Sequence, residues 1–283
     1  MKKITSLLVS FLLILSLGAF AVNGQSDYRS GKYEIPADSD VLLDFNIIEE
    51  EVAIYPMGFS ILVWNMFKGA KVNWLKDFQD LSNGKEILIL QEVFTSKKMI
   101  QGFSETKDFN YVFATSFMDT SLQMKRNGVA TAAKQISKKS SWQRSFYREP
   151  VIKTPKMTLF TKYKLAGIEE ELLVGNIHAI NFVSNKKFKH MIADAAQLLA
   201  KHKGPVIFGG DFNTWTKKKT RTMNRIMTGI GFKAVQFSVD FRKKFLGKTL
   251  DHIWVKGLNV KSAVAPVYPG SDHNPMEVSL GLF

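Results

Sequence analysis

The stretch VIFGGDFNTW, residues 206–215, decides how the rest of the chain is read. Val206, Ile207 and Phe208 form an uninterrupted apolar run, the pattern of a strand buried on both faces. Gly209 and Gly210 punctuate it, and an acid and an amide, Asp211 and Asn213, follow with only Phe212 between them. A strand covered on both sides belongs to a sheet flanked by other layers, and polar residues just past its end stand where such sheets bind ligands.

Working outward, the segment before it, 185–205, has helical spacing. Phe188, Met191, Ile192, Ala195, Leu198 and Leu199 share one face, and Gly204-Pro205 supplies a stop. The basic segment after it, 217–231, is read as a second helix. Further upstream, 59–67 (FSILVWNMF) and 86–93 (EILILQEV) read as buried strands, with a helix over 72–84 between them. Residues 157–163 and 171–179 read as paired strands, and 249–255 and 276–283 as closing strands. Some neighbouring strands are joined by links too short for a crossover, so the expectation is α/β, with mixed sheets covered by helices. Residues 22–55 carry no clear period and are read as a lead-in with one strand, leaving 56–283 as the main domain.

The chain has 283 residues, 45% of them apolar, enough for a sizeable core. Its first residues are set apart: Lys2 and Lys3, an apolar run over 6–20, then Ala19-Phe20-Ala21 in the small-x-small pattern of a cleavage site. Residues 1–21 are therefore expected to be a signal peptide, and the protein to be exported to the periplasm or beyond, with no membrane-spanning segment once it is removed. There is no cysteine, which excludes disulfides, thiolate catalysis and cysteine–zinc sites. The net charge of +14 favours polyanionic partners: nucleic acid, anionic lipid surfaces or phosphorylated small molecules.

Other polar groups share the placement of Asp211 and Asn213. Asn65 ends one predicted strand, Glu92 another and His178 a third; Asp251 opens a fourth, and Asp272-His273 precede the last. One such residue is an ordinary turn former, but the full series also makes a chemical set. Carboxylates such as Glu92 and Asp272 are hard oxygen ligands suited to Mg²⁺ or Mn²⁺. Two imidazoles serve proton transfer near neutral pH, and the amides donate to a phosphate oxygen without repelling it. Hydrolysis of a phosphate ester fits that inventory.

In order, WN, QE, NIHAIN, GGDFNTW, LDHI and GSDHNP resemble the endonuclease/exonuclease/phosphatase superfamily, over about residues 59–283. The resemblance implies a four-layer sandwich, two mixed β-sheets packed face to face and flanked by helices, and divalent-metal-dependent phosphoester hydrolysis. It implies that Glu92 is the principal metal ligand, with Asn65 and Asp272 nearby. His273 looks like the catalytic histidine, Asp251 the acid that orients it and His178 the second, phosphate-contacting histidine. Asp211 and Asn213 match the pair that positions water and phosphate. Segment 127–137 departs from the pattern, with Ala133 where a serine is common.

Substrate class is read from two basic clusters that flank these strand ends. Lys217, Lys218, Lys219 and Arg221 follow Trp215, and Arg242, Lys243, Lys244 and Lys248 precede Asp251, with Phe241 and Phe245 interleaved. That placement suits a groove tracking a phosphate backbone, with Trp215, Lys217, Lys218 and Lys243 as the candidate contacts. A nuclease acting as a monomer is the first expectation; a phospholipase C-type enzyme or a phosphomonoesterase of lipid or sugar phosphates is the alternative. His190 and His202 are expected to face solvent, and His252, Trp64 and Trp74 to be packing residues.

Overall fold

The computed structural model describes residues 33–282, so the expected signal peptide lies outside the described residues. Two mixed sheets carry the chain. The first is nine-stranded, in the spatial order β1 (Tyr33–Glu34), β5 (Asn110–Asp119), β6 (Lys125–Ala133), β4 (Ile87–Phe94), β3 (Phe59–Asn65), β17 (Met276–Gly281), β16 (Asn259–Ala265) and β12 (Val239–Asp240); β2 (Leu42–Phe45) also pairs with β5. The second is six-stranded, in the order β11 (Lys233–Ala234), β15 (Asp251–Lys256), β10 (Val206–Asp211), β9 (Glu171–His178), β8 (Met157–Lys164) and β7 (Lys139–Arg144). A separate hairpin pairs β13 (Lys244–Phe245) with β14 (Lys248–Thr249).

The doubly apolar strands sort their side chains by alternation. On β3, Ile61 and Val63 meet Val174, Ile207, Ile253 and Val255 of the second sheet. Leu62 and Trp64, on the other face of β3, meet Trp74, Phe78 and Leu81 of α1 (Trp74–Ser82) and Met99 and Phe103 of α2 (Lys97–Glu105). The second sheet turns Leu173, Val206, Phe208 and Trp254 outward onto α3 (Asn185–Lys201) and α4 (Lys217–Gly229). The result is helix, sheet, sheet, helix, as the resemblance implied. Each fully buried Leu, Ile or Phe in these layers contributes ~1.5–3 kcal/mol.

A polar bolt crosses the seam between the sheets. Gln91 of β4 donates from Nε2 to Asn176 Oδ1 of β9 at 2.8 Å. Asn176 Nδ2 donates in turn to the carbonyls of Ala130 at 2.8 Å and Leu90 at 3.1 Å. Both side chains are fully buried, so the pairing fixes how the two sheets slide relative to each other.

β5, β7, β16 and α2 were not expected, and two further details differ. The described part of the lead-in supplies two strands, β1 and β2, both paired to β5. And α3 stops at Lys201: His202 is extended, its ring within 2.7 Å of the Glu171 carbonyl, because the chain must straighten to enter β10 beside β9. Among the described residues no helix is long and apolar enough to cross a membrane.

Candidate active site

Gly210 explains the punctuation in the decisive stretch. Its φ is +142°, and a Cβ there would stand 2.0 Å from the Ile177 carbonyl oxygen of β9. Only glycine allows that approach. β10 consequently lies parallel to β9 with Asp211 opposite His178, and antiparallel to β15 with Asp211 opposite Asp251. Three adjacent strands thus present His178, Asp211 and Asp251 in one row. His178 Nε2 lies 3.6 Å from Asp211 Oδ2.

The first sheet meets this row from across the seam. Asn65, at the end of β3, donates from Nδ2 to Asp211 Oδ2 at 3.1 Å and to Glu92 Oε1 at 3.4 Å. Its own Oδ1 accepts from the Phe67 N–H at 3.1 Å, which fixes the amide's orientation. Glu92 occupies a β-bulge in β4: the register with β6 shifts between Gln91 and Val93, and Glu92 adopts a left-handed φ of +52°. Bulges re-aim side chains beside active sites, and here the bulge delivers a carboxylate beside Asn65.

The loop before β17 closes the site. Ser271 Oγ donates to the Asn65 carbonyl at 2.6 Å, and Trp64 Nε1 donates to the His273 carbonyl at 2.8 Å. So tethered, His273 donates from Nδ1 to both carboxylate oxygens of Asp251, at 2.8 and 3.0 Å. Asn213, with φ +51°, donates its backbone N–H to Asp211 Oδ1 at 2.9 Å and its Nδ2 to the Ala179 carbonyl at 2.9 Å. Asn65, Glu92, His178, Asp211, Asn213, Asp251 and His273 are therefore brought together. Asp272 adjoins them through His273, its Oδ2 and its carbonyl bound by Lys243 Nζ at 3.2 and 2.9 Å.

The burial of this cluster sets its charges. Burial, reinforced by the positive charges of Lys156, His273 and Lys68, pulls His178 well below the usual imidazole range, so it stands neutral. Burial, then the Asp251 carboxylate, pushes Asp211 up to about 7. For His273 burial acts downward, but the Asp251 ion pair, with Asp211 and Asp272, outweighs it and raises the imidazolium to about 10. A neutral imidazole, a carboxyl group poised near neutrality and a fixed imidazolium thus share one pocket.

Two further carboxylates flank this cluster, Glu92 beside Asn65 and Asp272 next to His273. Among the described residues Asp211, Asp251 and His273 offer ligand atoms within 4.8 Å of one another, but His273 Nδ1 is already committed to Asp251. Glu92 and Asp272 are only half-buried. Asp272 Oδ1 is buried without a hydrogen-bond partner, an orphaned hard oxygen that a divalent cation would satisfy. The donor set therefore fits such an ion.

The basic clusters divide. Lys217 and Lys218 are exposed on the first turn of α4, as a groove requires, but Lys219 is buried. Arg242 is engaged by Asp240 at 2.7 Å, and Lys243 by Asp272. Trp215 is half-buried; its Nε1 donates to Asn181 Oδ1 at 2.9 Å, and its ring meets Phe245 edge-on at 6.1 Å. His190 is exposed, His202 half-buried; His252 is held by Thr214 Oγ1 at 2.7 Å. Trp64 and Trp74 are buried.

Sequence reasoning missed Glu149 and Lys156. Glu149 is buried, accepts from the Asn181 N–H at 3.0 Å and lies 3.6 Å from Lys156 Nζ. Burial raises its pKa, Lys156 opposes this, and Glu92 adds to it. The signal available was an acid and a base each flanked by proline, Glu149-Pro150 and Pro155-Lys156, in a loop otherwise without pattern.

Known proteins share this fold. The chain is 34% identical over 229 residues to a UPF0294 protein of Vibrio campbellii, covering 79% of this chain and 77% of that protein. The catalytic domain of human Nocturnin, with bound sulfate anion, superposes with a TM-score of 0.60 at 18% identity, over 81% of this chain and 96% of that one. The mannosyl-6-phosphatase of Bacteroides thetaiotaomicron superposes with a TM-score of 0.58 at 14% identity, over 78% and 99%. The model of the Endonuclease/Exonuclease/phosphatase family, whose members are phosphoric ester hydrolases and typically use divalent metals, matches residues 62–273. With that span enclosing every strand-end group from Asn65 to His273, the chain belongs to the Endonuclease/Exonuclease/phosphatase family.

Proposed function

We propose that this protein is a divalent-cation-dependent phosphodiesterase whose leading substrate is nucleic acid. The observation that carries the reading is the buried row of His178, Asp211 and Asp251 faced by His273 and Asn65 across the sheet seam. Glu92 and Asp272, with Asn65 nearby, would hold Mg²⁺ or Mn²⁺, which when bound neutralises charge on a phosphate oxygen. Asp211, near neutrality, takes the proton of an attacking water. His273, kept protonated by Asp251, offers positive charge, and a proton, to the phosphoester oxygens. Neutral His178 donates to the phosphate without adding charge.

The nucleic-acid preference is supported by the net charge of +14 and by Lys217, Lys218, Arg221 and Lys244, all exposed near the strand ends. A second reading, a phosphomonoesterase or phospholipase C-type enzyme of sugar or lipid phosphates, has in its favour the fold shared with the mannosyl-6-phosphatase. Plasmid DNA, RNA, sphingomyelin and inositol phosphates assayed side by side, with Mg²⁺, Mn²⁺ or chelator, separate the two. Turnover of a lipid or small phosphate with indifference to nucleic acid overturns the first. Glu92→Ala is expected to abolish the Mg²⁺-stimulated rate, and retention of that rate would refute the metal assignment. We further propose export with removal of residues 1–21 and action as a monomer, which the mass of the mature chain and its sedimentation test.

A further inference from the structure

The basic run that opens α4 contains a residue for which the reaction above has no direct use. Lys219 is 2% exposed, and its Nζ has no hydrogen-bond partner. The ammonium stands 4.9 Å from the ring centroid of Trp215 and 5.3 Å from that of Phe188 on α3. Its backbone N–H donates to the cap, Thr216 Oγ1, at 3.1 Å. Side chains of a first helical turn lean towards the N-terminus, which returns this one towards the edge where β10 ends. The charged groups facing it are Glu149, from the loop after β7, and Asp211, from β10. Removal from water lowers its pKa to about 8, against the pull of those two carboxylates.

The placement is unfavourable for the fold on several counts. A buried ammonium without hydrogen bonds is destabilising, and two aromatic faces recover only part of that loss. The first turn of α4 holds three lysines and no acid, the wrong sign for the helix dipole. Methionine would fill the slot between Phe188 and Trp215 at similar length and without charge. Local rules broken without structural return are characteristic of functional positions.

We infer that Lys219 is a positioning residue of the active site, its buried ammonium holding the Asp211 and Glu149 side chains in place from the protein side while fixing the Trp215 ring. The inference rests on the phosphodiesterase reading of the same site. Being buried, Lys219 acts through these neighbours and not by touching substrate.

Lys219→Met and Lys219→Gln in the full chain provide the test. Urea unfolding should find both variants at least as stable as wild type at pH 7. Wild type should close that gap between about pH 8 and 10, where its folded state has shed the proton that the unfolded chain, with an ordinary lysine at 10.5, still carries. Hydrolysis of bis(4-nitrophenyl) phosphate with Mg²⁺ should fall at least tenfold in kcat with KM within threefold. Variants less stable than wild type at pH 7, or with kcat within twofold of it, overturn the inference. Should wild type be inert towards this probe, the phosphodiesterase reading is what suffers. Affinity for inorganic phosphate then decides on Lys219: weakening of fivefold or more supports it, and unchanged affinity overturns it.

Discussion

His252 shows how a single residue follows from its neighbours. Alternation turns it away from Asp251, and it is held between Thr214 Oγ1 and the Thr249 carbonyl. Burial, then the Arg242 charge, lowers its pKa to about 3. Its folded value lies below the unfolded one near 6.5, so its contribution to stability is present above that pH and is lost as pH falls towards 3. The loss amounts to about 1.4 kcal/mol per pH unit. In urea titrations at pH 7, 5.5 and 4.5, the stability advantage of wild type over His252→Asn should shrink at each step; a constant difference would contradict the neutral, half-buried imidazole. At this scale the acids, amides and imidazoles of the candidate site were legible because their types match a known order. Glu149 and Lys219 were not, since a charged residue in a loop or a lysine run reads as solvated until packing around it is known.

At the scale of elements, apolar runs identified β3, β4, β8, β9, β10, β15 and β17, and helical spacing identified α1 and α3, whereas β5, β7, β16 and α2 went unread. What they concealed was register. The bulge at Glu92 depends on how β4 meets β6, a pairing between distant segments that no local pattern encodes. Gly210 is the converse case, a visible glycine whose reason appears only when β9 lies against it. Gly210→Ala should destabilise the fold by about 3 kcal/mol or more, since the new methyl meets a backbone carbonyl that cannot move aside. Gly229→Ala, at the end of α4 with open space around it, should be neutral or mildly stabilising. Denaturant midpoints of the two variants provide the comparison, and equal effects would refute the close approach of β9 and β10.

For the whole molecule, strands apolar on both faces indicated sheets covered by helices, and the four-layer order came from the resemblance. The terminal contribution of β1 and β2 came from neither, since short edge strands carry little period. The reactive groups come from both sheets and from the loop before β17, and Asn65, Gln91 and Asn176 join one sheet to the other. Enzymatic activity is therefore a property of the intact stack. In a denaturant titration, catalytic rate and far-ultraviolet dichroism should vanish together in one transition. Activity persisting after dichroism is lost, or fading well before it, would refute this. A corollary concerns dissection: because neither half of the polypeptide owns a complete reaction centre, separately expressed halves should each be inert, and mixing them should restore turnover only to the extent that the Gln91–Asn176 seam re-forms.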